Sequence, residues 1–282
     1  MLHKHGILSN IWLINASHAS NYLPLITSYL KGELKEKENN QHDYLRFAEK
    51  NLSGYHVSEF GNATPPEEAH EDSIAIIDFT NAITKYDSWC DAGMLTKSDL
   101  LQRCFDNDNI KGIIFNIDSG GGEGAAMRHI SETIAQRNKP IISYVSDFAC
   151  SAAYGIASCT DLIVANSELA TVGSIGTYVS VADYTEYFKK MGINLIEVYA
   201  SDSTEKNMEV REAVKGNTKP LLELANRYNE HFLSMIEENR KEHLKADRSK
   251  WGTGKTFFAS DALEIGLIDK IDSFSNILNY FV

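Results

Sequence analysis

The sequence predicts an α/β fold built around a mostly parallel sheet, and three observations point there. Short, fully apolar runs rich in β-branched residues recur at Ser73 to Phe79 (SIAIIDF), Gly112 to Ile117 (GIIFNI), Pro140 to Val145 (PIISYV) and Asp161 to Ala165 (DLIVA). Helix-length patterns fill the intervals between them. That alternation has the spacing of right-handed βαβ crossovers, in which helices cover both edges of each strand's neighbourhood and the strands read as unbroken hydrophobic runs. The third observation is the glycine-rich turn, Gly120-Gly121-Gly122, placed directly after the second run.

Length and composition agree. A chain of 282 residues with 43% hydrophobic and 23% charged residues is long enough for one large α/β domain with an appendage. The formal charge of −12 repels a phosphate backbone, so nucleic acid is not an expected partner. The four cysteines, Cys90, Cys104, Cys150 and Cys159, match neither a metal knuckle nor a disulfide framework, and no metal or cofactor is expected. No apolar run reaches the roughly 18 residues of a membrane span. Ser9, Asn10 and Asn15 interrupt the short apolar stretch near the N-terminus, which reads against a signal peptide.

From Lys31 to Glu71 the chain turns polar and ends in Gly-Asn-Ala-Thr-Pro-Pro-Glu-Glu, which places a boundary near Pro65. Residues 1–66 are then an N-terminal extension, mostly helical and polar, with a linker. Residues 67–282 form the main domain. Within it, Ser98 to Phe105 reads as a helix with Ser98 as N-cap, and Ala125 to Arg137 as a second helix. Val181 to Met191 and Pro220 to His243 read as amphipathic helices, the latter with Leu221, Leu224, Ala225, Tyr228, Phe232 and Met235 along one stripe.

Two glycine motifs invite nucleotide readings, and both fail. The turn after Asp118 lacks G-x-G-x-x-G spacing. Trp251-Gly-Thr-Gly-Lys-Thr resembles a P-loop fragment, but Ser249 stands where glycine is required and no strand precedes it. What the Gly120 to Gly122 turn can do is point backbone N–H groups at an anion, either a phosphate or the oxyanion of a tetrahedral intermediate.

Ser151 is the candidate nucleophile, because it opens a helix of small residues (SAAYGIAS) just after a buried strand. The plainer alternative is an N-cap hydroxyl. Cys150 beside it reads as a small buried core residue. No histidine lies between His129 and His231, so the ordinary base left for a serine is a lysine. A lysine base must be partly neutral, which requires a pKa lowered from about 10.4 toward about 7 or 8.

Four segments together resemble one family. They are Asn109-Ile-Lys-Gly-Ile-Ile-Phe-Asn-Ile-Asp-Ser-Gly-Gly-Gly, Phe148-Ala-Cys-Ser-Ala-Ala-Tyr-Gly, Ala170-Thr-Val-Gly-Ser-Ile-Gly and Phe257-Phe-Ala-Ser-Asp-Ala-Leu-Glu-Ile-Gly-Leu-Ile-Asp. The resemblance is to the serine peptidases that include bacterial signal peptide peptidase and phage head-maturation proteases. It implies the ββα superhelix shared by Clp protease and the crotonases, here with an N-terminal helical extension. It also implies a Ser-Lys dyad: Ser151 as nucleophile, Lys206 as base, Ser174 as the serine that hydrogen-bonds the base, and the N–H groups of Gly121 and Ala152, with Gly122, as oxyanion and substrate-binding groups. Gly120 stands where the family usually has proline, and Lys215 is the alternative base. The implied partners are extended polypeptides, with capsid or scaffold proteins in the phage branch, and further copies of the chain in a ring. The expected location is cytoplasmic. The alternatives are a signal-peptide-peptidase-like housekeeping protease, a non-catalytic assembly protein of the same fold, and a crotonase-like acyl-CoA enzyme, whose usual carboxylate neither Asp147 nor Asp161 is clearly placed to supply.

Overall fold

The computed structural model describes residues 12–14, 45–51, 54–58, 65–87 and 91–281. Its strands are β1 (Trp12–Ile14), β2 (Leu45–Asn51), β3 (Gly54–Val57), β4 (Ser73–Ile83), β5 (Ile110–Glu123), β6 (Ile141–Cys150), β7 (Leu162–Ala165), β8 (Thr171–Gly173), β9 (Thr256–Phe258) and β10 (Lys270–Ile271). They form one sheet in the order β10-β7-β6-β5-β4-β2-β3, with β1 added to β5, β8 to β6 and β9 to β8. From β4 to β10 the neighbours on that path are parallel.

The expected apolar runs are the sheet's centre, and alternation inside them explains why they contain no polar face. Ala75, Ile77, Phe79, Ile113, Phe115 and Ile117 point to the larger core. Ile74, Ile76, Ile114, Ile142 and Val164 point to the opposite one, which Ile277 and Leu278 close from the C-terminus. Both faces are dry, as period-2 side-chain placement with both sides covered requires.

Helices α1 (Met94–Asp106), α2 (Gly124–Ile134) and α3 (Ala152–Ser158) follow β4, β5 and β6 and pack in sequence on the larger core. Helix α1 begins four residues before the expected Ser98. Its first N–H groups are satisfied from upstream instead: Met94 N–H donates to Thr84 O (2.8 Å) and Leu95 N–H to Lys85 O (3.1 Å), while Asp87 ties down the start by accepting from the Gly93 N–H (2.8 Å) and the Thr96 hydroxyl (2.7 Å). Ser98 is buried one turn inside the helix.

Strands β2 and β3 lie inside the segment expected to be a separate extension. The sheet begins before Pro65, because Leu45 and Phe47 are buried against the larger core and Arg46 donates to both carboxylate oxygens of the buried Asp78 (2.8 and 2.6 Å). A charged residue read as surface composition is here an internal ion pair. The helical character expected for the rest of residues 1–44 falls outside the described residues, β1 apart.

The remaining helices are α4 (Thr185–Lys190), α5 (Met208–Val214), α6 (Lys219–Asn239), α7 (Arg248–Trp251), α8 (Ala259–Ile265) and α9 (Phe274–Ile277). Helix α4 is shorter than the expected 181–191. In α6 only the second half of the apolar stripe is buried, through Phe232, Leu233 and Ile236, while Tyr228 is exposed. Among the described residues no helix is long and apolar enough to cross a membrane.

Behind α3 a buried ion pair fixes the C-terminal segment. Arg240 donates to both carboxylate oxygens of Asp269 (2.6 and 3.0 Å) and to the Gly266 carbonyl, and Asp269 also accepts from the Ile163 N–H (2.7 Å). The Tyr154 hydroxyl of α3 donates to Leu267 O at 2.8 Å. Asp269→Ala would strand a buried guanidinium, so it is expected to lower unfolding free energy by about 3–5 kcal/mol in a urea titration. A loss under about 1 kcal/mol would show that water replaces the carboxylate at no cost.

Candidate active site

Ser151 follows the last residue of β6 and precedes α3, and its backbone is held rather than relaxed. Its φ of 54° and ψ of −120° lie where a residue with a side chain is strained, by about 1–3 kcal/mol. The strain is sustained from both sides: Ser151 N–H donates to Gly173 O (2.7 Å), and Ser151 O accepts from Gly155 N–H (2.9 Å). Its hydroxyl oxygen is buried and, among the described residues, makes no hydrogen bond, neither as a helix cap nor with any other group. A buried hydroxyl without a partner costs about 1–3 kcal/mol, and at Ser151 it coincides with the strained backbone. The N-cap alternative therefore does not describe this residue.

The glycine turn lies one strand away. In β5, Ser119 is opposite Ala149 of β6, and on the other edge Gly121 and Gly122 are opposite Ala82 and Ile83 of β4. Gly121 has φ 107°, a conformation that disfavours any side chain. Ser119, which sequence reasoning did not single out, shapes this turn: its hydroxyl donates to Asn81 O and accepts from the Gly121 N–H at 3.2 Å. A serine two residues before the bend is the local signal for such a turn. Glu123 at the strand's end accepts from the Lys85 N–H (3.0 Å), tying it to the segment after β4.

Ser174 directly follows β8, whose residues Val172 and Gly173 are opposite Ala149 and Cys150. The fold thus brings Ser174 and Ser151 to the same end of adjacent strands. Gly173 (φ 102°) and Ser174 (φ 50°) both adopt left-handed backbone, and Ser174 N–H donates to Lys255 O at 2.8 Å. The neighbouring Gly254 N–H donates to Ile175 O at 2.9 Å. The glycine motif that imitates a P-loop is therefore a clamp on the Ser174 turn.

Lys206 is exposed, in the turn that precedes α5, with its backbone N–H on Ser203 O (3.2 Å). Among the described residues no hydrogen bond or ion pair links it to Ser151, to Ser174 or to the flanking Asp202 and Glu205. Lys215 pairs with Glu212 (3.0 Å), whose carboxyl pKa is lowered by hydrogen bonds from Asn217 and Lys215. Lys97 is a fully buried lysine, but its ammonium sits on Asp91 (3.0 Å) and over the Phe79 ring.

Other chemistries find little purchase. Burial pushes the Cys150 thiol up to about 12, and Cys104 likewise. Asp161 is engaged by Arg137 and the Ile141 N–H (both 2.8 Å), and Asp147 is exposed. Among the described residues no group of His, Cys, Asp and Glu is arranged to hold a metal.

The family model described as peptidase family S49 matches residues 133–281, a stretch that contains Ser151, Ser174 and Lys206. The chain belongs to peptidase family S49. The sheet described above is of the α/β class read from the sequence motifs. Protease 4 of Haemophilus influenzae is 29% identical over 195 residues, 67% of this chain and 31% of that one. The head-tail preconnector protein of Enterobacteria phage P21 is 29% identical over 103 residues, 36% of this chain and 20% of that one. The solved structure of a mutant membrane-bound stomatin-specific protease overlays with a TM-score of 0.49 at 18% identity, covering 76% of this chain and 85% of that one. The chain spans about half or less of the length of the first curated relatives it matches.

Serine and cysteine nucleophiles are separated by one substitution. With a thiol pKa of about 12, only about one Cys150 in ten thousand is ionised at pH 8. Cys150→Ala is expected to retain fluorophosphonate labelling of the chain, and loss of labelling in a folded sample would move the nucleophile to the thiol.

Proposed function

We propose that this S49 chain is a serine endopeptidase that cleaves extended polypeptides through an acyl-enzyme on Ser151, with Lys206 as the base. The single observation that carries the reading is the buried Ser151 hydroxyl with no hydrogen-bond partner on a strained strand-to-helix turn. In the proposed reaction Lys206 takes the hydroxyl proton as Oγ attacks the peptide carbonyl. The developing oxyanion is met by N–H groups of the Gly121–Gly122 turn and of Ala152, and the proton then passes to the leaving amine. Water hydrolyses the ester by the same path in reverse. Ser174 positions the lysine.

The exposure of Lys206 supports placing the dyad across two copies of the chain. The segment around it carries apolar side chains in water: Ile196 is 86% exposed and Val198 89%, with Leu195, Met191 and Val210 beside them. Large apolar side chains exposed together in one stretch of chain are what an interface would cover. Burying it against another subunit would carry Lys206 into a desolvated site, the environment a neutral lysine needs. A homo-oligomeric ring is the assembly this implies. The similarity to a phage head-tail preconnector protein supports capsid or scaffold proteins as substrates, in the host cytoplasm or the prohead.

Ser151→Ala and Lys206→Ala should each abolish peptide hydrolysis, measured on folded samples by far-UV circular dichroism. Mixing the two inactive chains under exchange conditions is expected to restore about a quarter of wild-type activity, since a random ring then holds some intact serine-lysine pairs. No recovery, with subunit exchange demonstrated, would place the dyad within one chain.

Ser174→Ala is expected to lower kcat by about 10- to 1000-fold with KM little changed, the range for deleting one positioning group. Wild-type kcat in that variant would reduce Ser174 to a turn residue.

A further inference from the structure

Strand β1 lies where a substrate would. Trp12, Leu13 and Ile14 pair antiparallel with Glu123, Gly122 and Gly121, the end of β5 that carries the glycine turn. The edge they occupy is defined by the neighbouring registers. On one side, β4 holds Gly121 and Gly122 through Ala82 and Ile83. On the other side, β6 follows β5 only as far as Ser119↔Ala149 and then leaves, pairing Phe148 to Cys150 with β8 on the way to Ser151. Among the described residues no part of β6 pairs with β5 past Ser119, and β1 occupies that edge at the glycines. An extended chain on a sheet edge is how peptides are commonly bound, with main-chain hydrogen bonds supplying affinity.

We propose that this chain's own N-terminal segment is an intramolecular substrate, bound at residues 12–14 and cut by Ser151 within that strand. The proposal rests on the peptidase reading above. The register fixes the position of the cut. The acyl carbonyl has to meet an N–H of the glycine turn, so it belongs to the residue opposite the donor glycine: Leu13 for Gly122, or Ile14 for Gly121 once its N–H releases the Ser119 hydroxyl. The scissile bond is then Leu13–Ile14 or Ile14–Asn15. Ser151 Oγ bonds to that carbonyl carbon, the C–N bond breaks, and the serine proton leaves on the new amine. Water then cleaves the ester, giving a carboxylate on the short N-terminal fragment and restoring the hydroxyl.

Two further facts fit. Ser151 is only 1% exposed in the chain that carries β1, although a nucleophile has to meet its substrate. The sequence around the cut, Ser9-Asn-Ile-Trp-Leu-Ile-Asn-Ala-Ser, places apolar residues on the acyl side. The substrate class this implies is a polypeptide with an extended apolar triplet at or just before the scissile bond.

The test uses the full chain. Intact mass and N-terminal sequencing of purified wild type are expected to show a new N-terminus at Ile14 or Asn15, absent from Ser151→Ala. Wild type that hydrolyses an added peptide while keeping its full-length mass, or that is cut only elsewhere, overturns self-processing and leaves the peptidase reading standing. Should wild type hydrolyse nothing, that reading fails, and strand occupancy is decided separately by binding. Leu13→Pro with Ile14→Pro removes both consecutive N–H donors, so β1 cannot pair with β5. A synthetic peptide of residues 9–17 should bind Ser151→Ala carrying both prolines at least ten-fold more tightly than Ser151→Ala alone, measured by fluorescence anisotropy. Equal affinities would show that β1 does not occupy the site and would overturn the proposal.

Discussion

Past Ser119 the two central strands of the sheet separate, and the site exists because they do. Up to Ile117↔Val145 the parallel ladder between β5 and β6 is regular; before the next pair, Ser119↔Ala149, β6 has taken in two residues more than β5. A ladder that gains residues on one strand must bend that strand away. The bend carries Cys150 onto β8 and leaves the glycine end of β5 with β4 on one edge and an opening on the other. The glycine turn and Ser151 thus lie at the ends of neighbouring strands, each strand still paired on its other edge, β5 with β4 and β6 with β8.

Such an arrangement stores strain, and the rest of the domain resists its release. Ser151, Ser174 and Gly121 all sit at positive φ within the same strand-end layer. Ser151 and Ser174 are held by main-chain bonds to Gly173 of β8 and to Lys255, and Gly121 by the side-chain hydroxyl of Ser119 in its own strand. Behind them the Arg240–Asp269 pair and the Tyr154 hydroxyl fasten α3 to the C-terminal segment. The helix that begins at the nucleophile is thus anchored at a depth where exchange of one partner for water is costly.

The surface from Tyr178 to Tyr228 obeys a different rule. Its side chains alternate between charged and large apolar types with little burial, although α5 and α6 are regular helices that pack on each other. A single copy of the chain leaves that apolar area in water, and Lys206 with it. In the proposed ring, covering this surface and bringing Lys206 to the site would be one event.

The strands, the glycine turn and the position of Ser151 were legible in the sequence because each depends on local chemistry: β-branched runs buried on both faces, glycine where φ turns positive, small residues where a helix meets backbone. Where the reading went astray, the deciding partner lay far along the chain. Helix α1 starts at Met94 because the Thr84 and Lys85 carbonyls, not Ser98, take its first N–H groups. Strands β2 and β3 join the sheet because Arg46 finds Asp78 across 32 residues of sequence. The P-loop-like glycines serve Ser174, and β1 finds the edge of β5 over more than a hundred residues. Composition registers what a segment is made of, whereas burial of a charge or the filling of a strand edge depends on what the folded chain sets beside it.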